Sequence, residues 1–362
     1  MLARLALICV LLLSACASPG SGAPAPQPAR PPPTALSDGL AALAQGFDGQ
    51  VGIAVEDVQA GWVAAYDGQR LYPQQSVAKL WVALAVFDAA DRGVLRLDAP
   101  VTVRLDDMSV FNQPIQKRIV DGRYDTTIDG LLVLALAQSD NAANDILLRK
   151  LDGGGPLCAL VRRLIQRGSV PALIRRRRLG AIRAGDSERD LEAKIAGVSW
   201  KRDYSFGRAF WDARDQIPMS TRQAKLDAYV ANPEDGASPI AIVDGLARLD
   251  KGQLLSAAST ARFLAILAST DTGPMRLKAG LGPGWVIAHK TGTGQDLGEE
   301  STGYNDVGLL TAPDGRAYAV AVMIAATKRP IPERQALMAD VARAIVAEHD
   351  AASGGPFPTA RP

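Results

Sequence analysis

The sequence predicts an α/β protein of the α+β sandwich type, in which a five-stranded antiparallel sheet from both chain ends packs against an inserted helical lobe. Three observations predict this fold: two short β-patterned segments near the N-terminus, a long middle with apolar residues at helical spacing, and three β-patterned segments near the C-terminus. The 362 residues are 48% hydrophobic and carry a net charge of +2. This composition supports a globular core and excludes a dedicated nucleic-acid binder, which needs a basic excess.

The chain begins with a segment typical of bacterial export signals. Residues 1–16 combine basic Arg4 with an apolar run that ends in Leu-Ser-Ala-Cys and is too short to span a bilayer. A cysteine directly after Leu-Ser-Ala resembles a lipobox, so we expect Cys16 to be lipidated and to anchor the exported protein in the periplasm. The next residue is Ala17 and not the aspartate that usually retains lipoproteins at the inner membrane, so the outer membrane is favoured. A plain cleaved signal peptide is the alternative.

The rest of the chain divides by composition. Residues 17–40 are rich in Pro, Ala, Gly and Ser, which predicts a semi-rigid tether. One folded domain is expected at 41–350, with a sheet lobe at about 41–70 and 275–350 and a helical lobe at about 71–274. A disordered tail follows at 351–362.

Three cysteines cannot form a disulfide framework. Cys9 is removed with the signal and Cys16 is expected to be lipidated, so Cys158 has no partner and is expected to be a small buried residue. We expect a monomer.

Periodicity places the elements along the domain. Strands are predicted at 50–57, 61–66, 284–290, 304–311 and 317–325, with a Pro-Asp-Gly turn at 313–315 between the last two. Helices are predicted at 73–93, 127–137, 141–151, 244–249, 259–269 and about 332–348. Ser259 is the expected N-cap of the helix at 259–269.

Histidine is too scarce for several kinds of site. The two histidines, His289 and His349, make a His-rich zinc site improbable and leave little room for a Ser-His-Asp triad. No Gly-x-Ser-x-Gly motif occurs. We therefore predict no metal and no cofactor, and strand alternation indicates that His289 is a packing residue.

Ser76 and Lys79 form a Ser-x-x-Lys pair in the first turn of the helix predicted from residue 73. Positions i and i+3 share a helix face, so the amine can approach the hydroxyl and act as its base. Taken alone, the pair is equally consistent with an exposed serine and lysine.

Two further motifs could contribute to the same chemistry. Ser139-Asp140-Asn141 lies between two predicted helices, where it could relay a proton and bind an amide, or could simply cap a helix. Lys290-Thr291-Gly292-Thr293 ends a predicted strand. The lysine could bind a carboxylate and the glycine could let a substrate lie along the strand, although a polar strand end before a turn has the same pattern.

The ordered combination of these three motifs is more specific than each one alone. It resembles the penicillin-recognising serine acyltransferases and, within them, the class A β-lactamases. The stretches AQSDNAANDILLRKL, TGPMRLKAGLGPGWVIAHKTGTG and TGYNDVGLLTAPDG look like the family's segments around the second motif, before the third motif and after it. The resemblance covers about residues 45–350.

The resemblance implies that Ser76 is acylated by a β-lactam or a peptidoglycan-like substrate, that Lys79 takes its proton and that Ser139 passes a proton to the lactam nitrogen. Substrate binding is implied for Asn141, Lys290, Thr291, Gly292 and Thr293, with the Ser76 and Thr293 backbone N–H groups holding the oxyanion. The alternatives are a D-Ala-D-Ala peptidase and a penicillin-binding protein that is acylated without turnover.

One departure from the family concerns the base for deacylation. Class A enzymes carry a glutamate on an Ω-shaped loop, and residues 212–218 resemble the end of that loop. Counting back places Lys201 at the glutamate position, after Trp200, and Ser205 at the usual asparagine. A general base contributes about 10²–10⁴ in rate, so this alignment supports acylation better than turnover. The nearby acids that could substitute are Asp203, Glu192 and Glu188.

A second departure is the length between Ser139 and Lys290, which are 151 positions apart. The extra residues are expected within 155–200, where Arg175 to Arg178 form a basic run. A solvated face is one interpretation of this run, and contact with anionic lipid is the other.

The family also has an arginine that helps bind the carboxylate of the β-lactam. Arg329 and Arg334 are the candidates for it in this sequence. Asn305-Asp306 occupies the strand where some relatives carry that arginine.

Overall fold

The computed structural model describes residues 31–151 and 187–354. The predictions for the export signal, Cys16, Cys158 and the basic run Arg175 to Arg178 therefore lie outside the described residues. The same holds for residues 17–30 of the tether and 355–362 of the tail.

One antiparallel sheet contains strands from both ends of the chain. Its strands are β1 Gly49–Asp57, β2 Val63–Tyr66, β5 Val286–Gly292, β6 Asp296–Leu297, β7 Glu300–Thr311 and β8 Ala317–Thr327, while β3 Pro100–Val103 and β4 Tyr124–Thr127 form a separate two-stranded ribbon. The order is β2-β1-β8-β7-β5, with the short β6 paired to β7. This confirms the predicted five-stranded sheet, to which β6 is added.

The helices lie mainly between β2 and β5, as predicted. Within the described residues they are α1 Thr34–Gln45, α2 Lys79–Asp91, α3 Ile128–Ala137, α4 Asn141–Lys150, α5 Glu188–Ala196, α6 Ala209–Asp215, α7 Met219–Ala231, α8 Pro239–Asp250, α9 Ala257–Ala268 and α10 Ile331–Ala352. Helix α9 is capped by Ser256, whose side chain accepts a hydrogen bond from Ser259 N, so the predicted cap at Ser259 was wrong by three residues.

Alternation along β8 separates two apolar cores. Val320, Val322 and Ile324 pack in the core formed with α1 and α10. The intervening residues pack in the core of the helical lobe; they are the smaller Ala319, Ala321 and Ala325, with Met323. Because both faces of β8 are covered, all of its residues are buried.

Helix α1 corrects the predicted end of the tether. It begins at Thr34, inside the segment 17–40 that composition assigned to the tether. Leu36, Leu40 and Ala44 recur at four-residue spacing on one helix face, and all three are buried against the sheet. The folded domain therefore starts several residues before position 41.

Candidate active site

The serine and lysine of the first motif are in direct contact. Ser76 lies in a 3₁₀ turn, Gln75–Ala78, that leads into α2, and Lys79 is the first residue of α2. Lys79 Nζ is 2.7 Å from Ser76 Oγ and donates to Asn141 Oδ1 at 2.8 Å. Lys79 is only 1% exposed. Its amine therefore sits in a low-dielectric site beside a hydroxyl, the arrangement a serine nucleophile needs.

The turn that presents Ser76 is held by buried polar contacts. Gln75 has a positive φ of 53°, which is unfavourable for a residue with a side chain. Asp235 accepts a hydrogen bond from Gln75 N at 2.7 Å, and Gln75 Nε2 donates to Tyr229 Oη at 2.6 Å. These contacts offset the backbone strain and fix the position of the neighbouring serine.

The Ser-Asp-Asn motif serves both as a helix cap and as a wall of the site. Asp140 caps α4 by accepting from Ala143 N at 2.8 Å, and it also accepts from Ile115 N at 2.6 Å. Ser139 adopts a positive φ of 56°. Asn141 is held by its amide, which donates to Val110 O at 2.7 Å. The cap thus orients the residues on either side of Asp140.

Lys290 joins the third motif to the second. Its Nζ donates to Ser139 Oγ at 2.8 Å and to Thr291 O at 2.9 Å. The side chain is completely buried, and burial lowers the pKa of its amine well below the ordinary value, assisted by the charges of Lys79 and Arg276. The three motifs therefore meet in one cluster through Lys79–Asn141 and Lys290–Ser139 contacts.

The end of β5 packs closely against the turn that carries Ser76. A Cβ at Gly292 would overlap the carbonyl oxygen of Gln74, so only glycine allows this approach. Thr291 Oγ1 lies 2.7 Å from Thr272 Oγ1, and both Thr291 and Thr293 line the cleft. This places the strand edge beside Ser76.

Glu188 is the carboxylate that stands next to the serine–lysine pair. Its Oε1 lies 3.7 Å from Lys79 Nζ, and it is 6% exposed at the first position of α5. Its backbone N–H donates to Asp145 Oδ1 at 2.8 Å. The alignment that placed Lys201 at this position was wrong: Lys201 is exposed, with its ammonium 6.0 Å from the ring of Tyr204.

The other residues assigned around the loop also lie elsewhere. Asp203 is exposed. Ser205, predicted at the usual asparagine position, is buried and donates to Met108 O at 3.1 Å. Glu192 instead lies one helical turn after Glu188 and lines the same cleft.

The arginine in the cleft is Arg276, which the sequence analysis missed. Its Nη2 donates to Thr293 Oγ1 at 2.8 Å, and its Nη1 donates to the carbonyl oxygens of Gly292 and Asn305 at 3.0 and 2.6 Å. Arg276 belongs to the stretch TGPMR, which is part of the segment that resembles the family before the third motif. Its position in that segment could have identified it as a candidate from the sequence.

The arginines named from the sequence have other surroundings. Arg329 Nε is 3.2 Å from the Glu333 carboxylate in an exposed pair, and Arg334 Nε donates to Arg329 O at 2.6 Å. Asn305 donates to the carbonyl oxygens of Pro73 and Gln74, and Asp306 contacts His289 Nδ1 at 2.8 Å. His289 is buried in this pair and does not line the cleft, in agreement with its predicted packing role.

These groups surround a cleft of about 550 Å³, lined by Ser76, Ser139, Asn141, Glu188, Glu192, Arg276, Thr291 and Thr293 among others. A second cavity of about 600 Å³ shares Phe111, Glu192 and Thr293 with it and has aromatic walls formed by Tyr204, Phe210 and Trp211. A substrate bound at Ser76 could extend from the first cleft into this second cavity.

Within residues 31–151 and 187–354, no group of three or more His, Cys, Asp or Glu side chains is placed to hold a metal ion. In the same part of the chain, no helix combines the length and the hydropathy needed to cross a membrane.

The sequence matches the Beta-lactamase enzyme family over residues 35–349. It is 26% identical over 312 residues to the extended-spectrum β-lactamase PER-1 of Pseudomonas aeruginosa, covering 85% of each chain. It is also 26% identical over 309 residues to the carbapenem-hydrolysing β-lactamase KPC of Klebsiella oxytoca, covering 85% of this chain and 87% of that one. The crystal structure of the TLA-3 extended-spectrum β-lactamase shares the fold, with a TM-score of 0.67 at 21% identity over 87% of this chain and 98% of that one.

Proposed function

The chain belongs to the beta-lactamase enzyme family, and we propose that it is a class A serine β-lactamase whose acyl-enzyme turns over by means of Glu188. The observation that carries this proposal is the distance of 3.7 Å between Glu188 Oε1 and Lys79 Nζ. The sequence shows no evident base for deacylation, and turnover was therefore undecided. A carboxylate beside the acylated serine supplies that base.

Acylation uses the contacts between the three motifs. Ser76 Oγ attacks the lactam carbonyl carbon while the Lys79 amine accepts the hydroxyl proton across 2.7 Å. The lactam C–N bond then breaks as Ser139 Oγ delivers a proton to the departing nitrogen and takes in return the proton that Lys79 received, so both side chains end as they began. Lys290, hydrogen-bonded to Ser139 at 2.8 Å, holds this hydroxyl in place.

Substrate binding is assigned to groups that line the cleft and to Lys290 and Gly292 next to it. The Ser76 and Thr293 N–H groups hold the oxyanion. Lys290, Thr291 and Thr293 bind the substrate carboxylate, with Arg276 acting through its hydrogen bond to Thr293. Asn141 binds the acyl amide, Gly292 lets the substrate lie against β5, and the adjoining aromatic cavity accommodates the acyl side chain.

Deacylation needs a water molecule and Glu188. The water oxygen attacks the ester carbonyl carbon as Glu188 takes one of its protons. The ester C–O bond then breaks as Ser76 Oγ takes that proton from Glu188, and the second proton of the water leaves with the product acid. The enzyme is then back in its starting state. A non-turnover penicillin-binding protein is less well supported, because it needs no base placed against the acyl-enzyme. A D-Ala-D-Ala peptidase is less well supported because the family match and the named relatives are β-lactamases.

The experiment follows colour and intact mass when the chain from residue 17 onward is mixed with a chromogenic cephalosporin. Sustained colour release, abolished in Ser76→Ala and retained in Ser37→Ala, supports the lactamase. One equivalent of colour with a persistent adduct indicates the penicillin-binding protein instead. The absence of both colour and adduct overturns acyl-serine chemistry on β-lactams.

For localisation we propose an exported lipoprotein anchored through Cys16, on the basis of the Leu-Ser-Ala-Cys sequence. Cells that express the full chain and are fed a labelled fatty acid should give a labelled protein in the outer-membrane fraction. Cys16→Ala should lose the label, while Cys158→Ala should keep it. An unlabelled wild-type protein in the soluble periplasmic fraction overturns the lipid anchor.

A further inference from the structure

The second cavity, of about 600 Å³, has an arginine on its aromatic wall. Residues 204–214 supply three of its rings, and Phe210 packs edge to face against both Tyr204 and Trp211. The Arg214 guanidinium lies 4.5 Å from the centre of the Trp211 ring and lines the same cavity. A flat group that packs on these rings would therefore have a cation beside it.

The hydrogen-bond donors of Arg214 are largely unused. Its Nη2 is 3.3 Å from Asp215 Oδ1, and this is its one hydrogen bond to a described residue. Its Nε is buried and has no partner within residues 31–151 and 187–354. The side chain as a whole is only 16% exposed. Because a buried donor without an acceptor is costly, this end of the cavity favours a ligand that brings an acceptor.

The positive charge beside the cavity exceeds the negative charge paired with it. Arg222 Nη1 lies 3.4 Å from the same Asp215 oxygen that Arg214 contacts. The Arg222 side chain is 11% exposed, and burial together with the charge of Arg214 lowers its pKa. Two largely buried guanidinium groups thus share the carboxylate of Asp215, which is half exposed to water. A second anion at Arg214 would balance this charge.

The two acidic side chains that line the cavity do not supply that anion. Burial raises the pKa of Glu192 to about 8, so its carboxyl is neutral at neutral pH, and Gln295 donates to it at 2.7 Å. Asp296 is exposed and accepts a hydrogen bond from Ser301 Oγ. Among the described residues, neither acid forms an ion pair with Arg214. The guanidinium is therefore open to an anionic group of a ligand.

We propose that this cavity is a subsite for an acyl side chain that carries an aromatic ring and, beyond the ring, a carboxylate. The ring packs against the aromatic wall, and the carboxylate accepts hydrogen bonds from Arg214, whose planar guanidinium matches it in geometry. The cavity shares Phe111 and Thr293 with the cleft at Ser76, so one substrate can occupy both. The inference rests on the proposed lactamase function and names a substrate class for it.

The test compares three cephalosporins that share one nucleus and differ in the acyl group: phenylacetyl, para-carbamoylphenylacetyl and para-carboxyphenylacetyl. Steady-state kcat/KM is measured for each at neutral pH with the chain from residue 17 onward. The carbamoyl compound has nearly the shape of the carboxy compound without its charge, so the ratio of their kcat/KM values isolates the anionic group. We expect the wild type to favour the carboxy compound by about tenfold or more, the size expected of a hydrogen bond to a charged group.

Variants of Arg214 should change this ratio selectively. Arg214→Ala should reduce the ratio to about one, while hydrolysis of the phenylacetyl compound changes little. Arg214→Lys keeps the charge but loses the planar pair of donors, so it should keep part of the preference. Arg208→Ala is the matched control, because Arg208 directly precedes α6 and is an exposed arginine paired with Asp212. It should leave the ratio unchanged.

Asp215→Asn keeps the result interpretable if Arg214→Ala folds poorly. This substitution removes the anion that Arg214 and Arg222 share, so both guanidinium groups attract the substrate carboxylate more strongly. The preference for the carboxy compound should rise several-fold. A gain of this kind cannot result from a loss of folded protein.

A wild-type ratio near one overturns the inference, as does a ratio that Arg214→Ala and Asp215→Asn both leave unchanged. Neither result touches the proposed function, which fails only if none of the three cephalosporins acylates Ser76 or if the acyl group is never released.

Discussion

Lys79 Nζ and Glu188 Oε1 lie 3.7 Å apart in a buried site, although the two residues are 109 positions apart in the sequence. The lysine begins α2 and the glutamate begins α5, so two helix starts meet beside Ser76. Lys79 contacts Ser76 on one side and Glu188 on the other. The same lysine therefore links the serine proposed to be acylated to the group proposed to activate the water.

Replacing Glu188 with glutamine should stop turnover after acylation. The amide cannot accept the water proton, so the deacylation rate should fall about 10²–10⁴-fold while Ser76 is still acylated. Intact mass should show an adduct on most of the protein for as long as substrate is present.

Two substitutions serve as controls for Glu188→Gln. Glu234→Gln changes a glutamate whose side chain is 47% exposed, and Lys201→Ala changes the residue that the sequence alignment placed at the base position. Both should turn over as the wild type does. A normal steady-state rate in Glu188→Gln, or an accumulated adduct in Lys201→Ala, contradicts the assignment.

The fold and most of the site could be predicted because their signals are local. Val320, Val322 and Ile324 stand in an unbroken apolar run with alanines and Met323, which is typical of a strand covered on both faces. Ser76 with Lys79 and Ser139 with Asn141 are chemically distinctive pairs at short fixed spacings. Their order along the chain was therefore sufficient to predict that they lie in one site.

The residues that were missed depend on loop length and on tertiary contacts. Counting back from residues 212–218 assumed a loop of the usual length. An error in that length changes which residue is assigned to the base position, and no periodicity in the sequence reveals it. The count therefore arrived at Lys201, whereas the structure places Glu188 beside Lys79. Arg276 reaches the cleft from a turn before β5, through hydrogen bonds to Thr293 and to two backbone carbonyls that no sequence pattern encodes.

Replacing Arg276 with alanine should weaken substrate binding more than it slows chemistry. The guanidinium holds Thr293 and adds positive charge beside the proposed carboxylate site, and a charge-assisted hydrogen bond contributes about 1.5–3 kcal/mol. We expect KM to rise about 10- to 100-fold and kcat to change less. Arg329→Ala, at an exposed arginine paired with Glu333, should leave both constants unchanged. An equal effect of the two substitutions contradicts the role of Arg276.

Asp140 should matter for stability as well as for activity. Its carboxylate accepts from both Ala143 N and Ile115 N in a buried site. Loss of the cap costs about 1 kcal/mol, and a buried N–H left without a partner costs about 1–3 kcal/mol. Asp140→Ala should therefore lower the free energy of unfolding by about 2–4 kcal/mol in urea titrations. Asp140→Asn keeps an acceptor for the cap and should lose less, so equal losses would count against this account.

Two glycine-to-alanine substitutions should change stability in opposite directions. Gly39 lies inside α1 with open space at its Cβ position, and alanine is favoured over glycine in a helix by about 0.8–1 kcal/mol. Gly280 ends a 3₁₀ turn, Leu277–Gly280, where a Cβ would overlap the carbonyl oxygen of Ala339 in α10. Because that oxygen belongs to helix backbone, it cannot move without shifting α10, and overpacking of this kind costs about 1–3 kcal/mol. Thermal unfolding should show a raised Tm for Gly39→Ala and a lowered Tm for Gly280→Ala, and a Gly280→Ala protein as stable as the wild type would show that α10 does not pack as described.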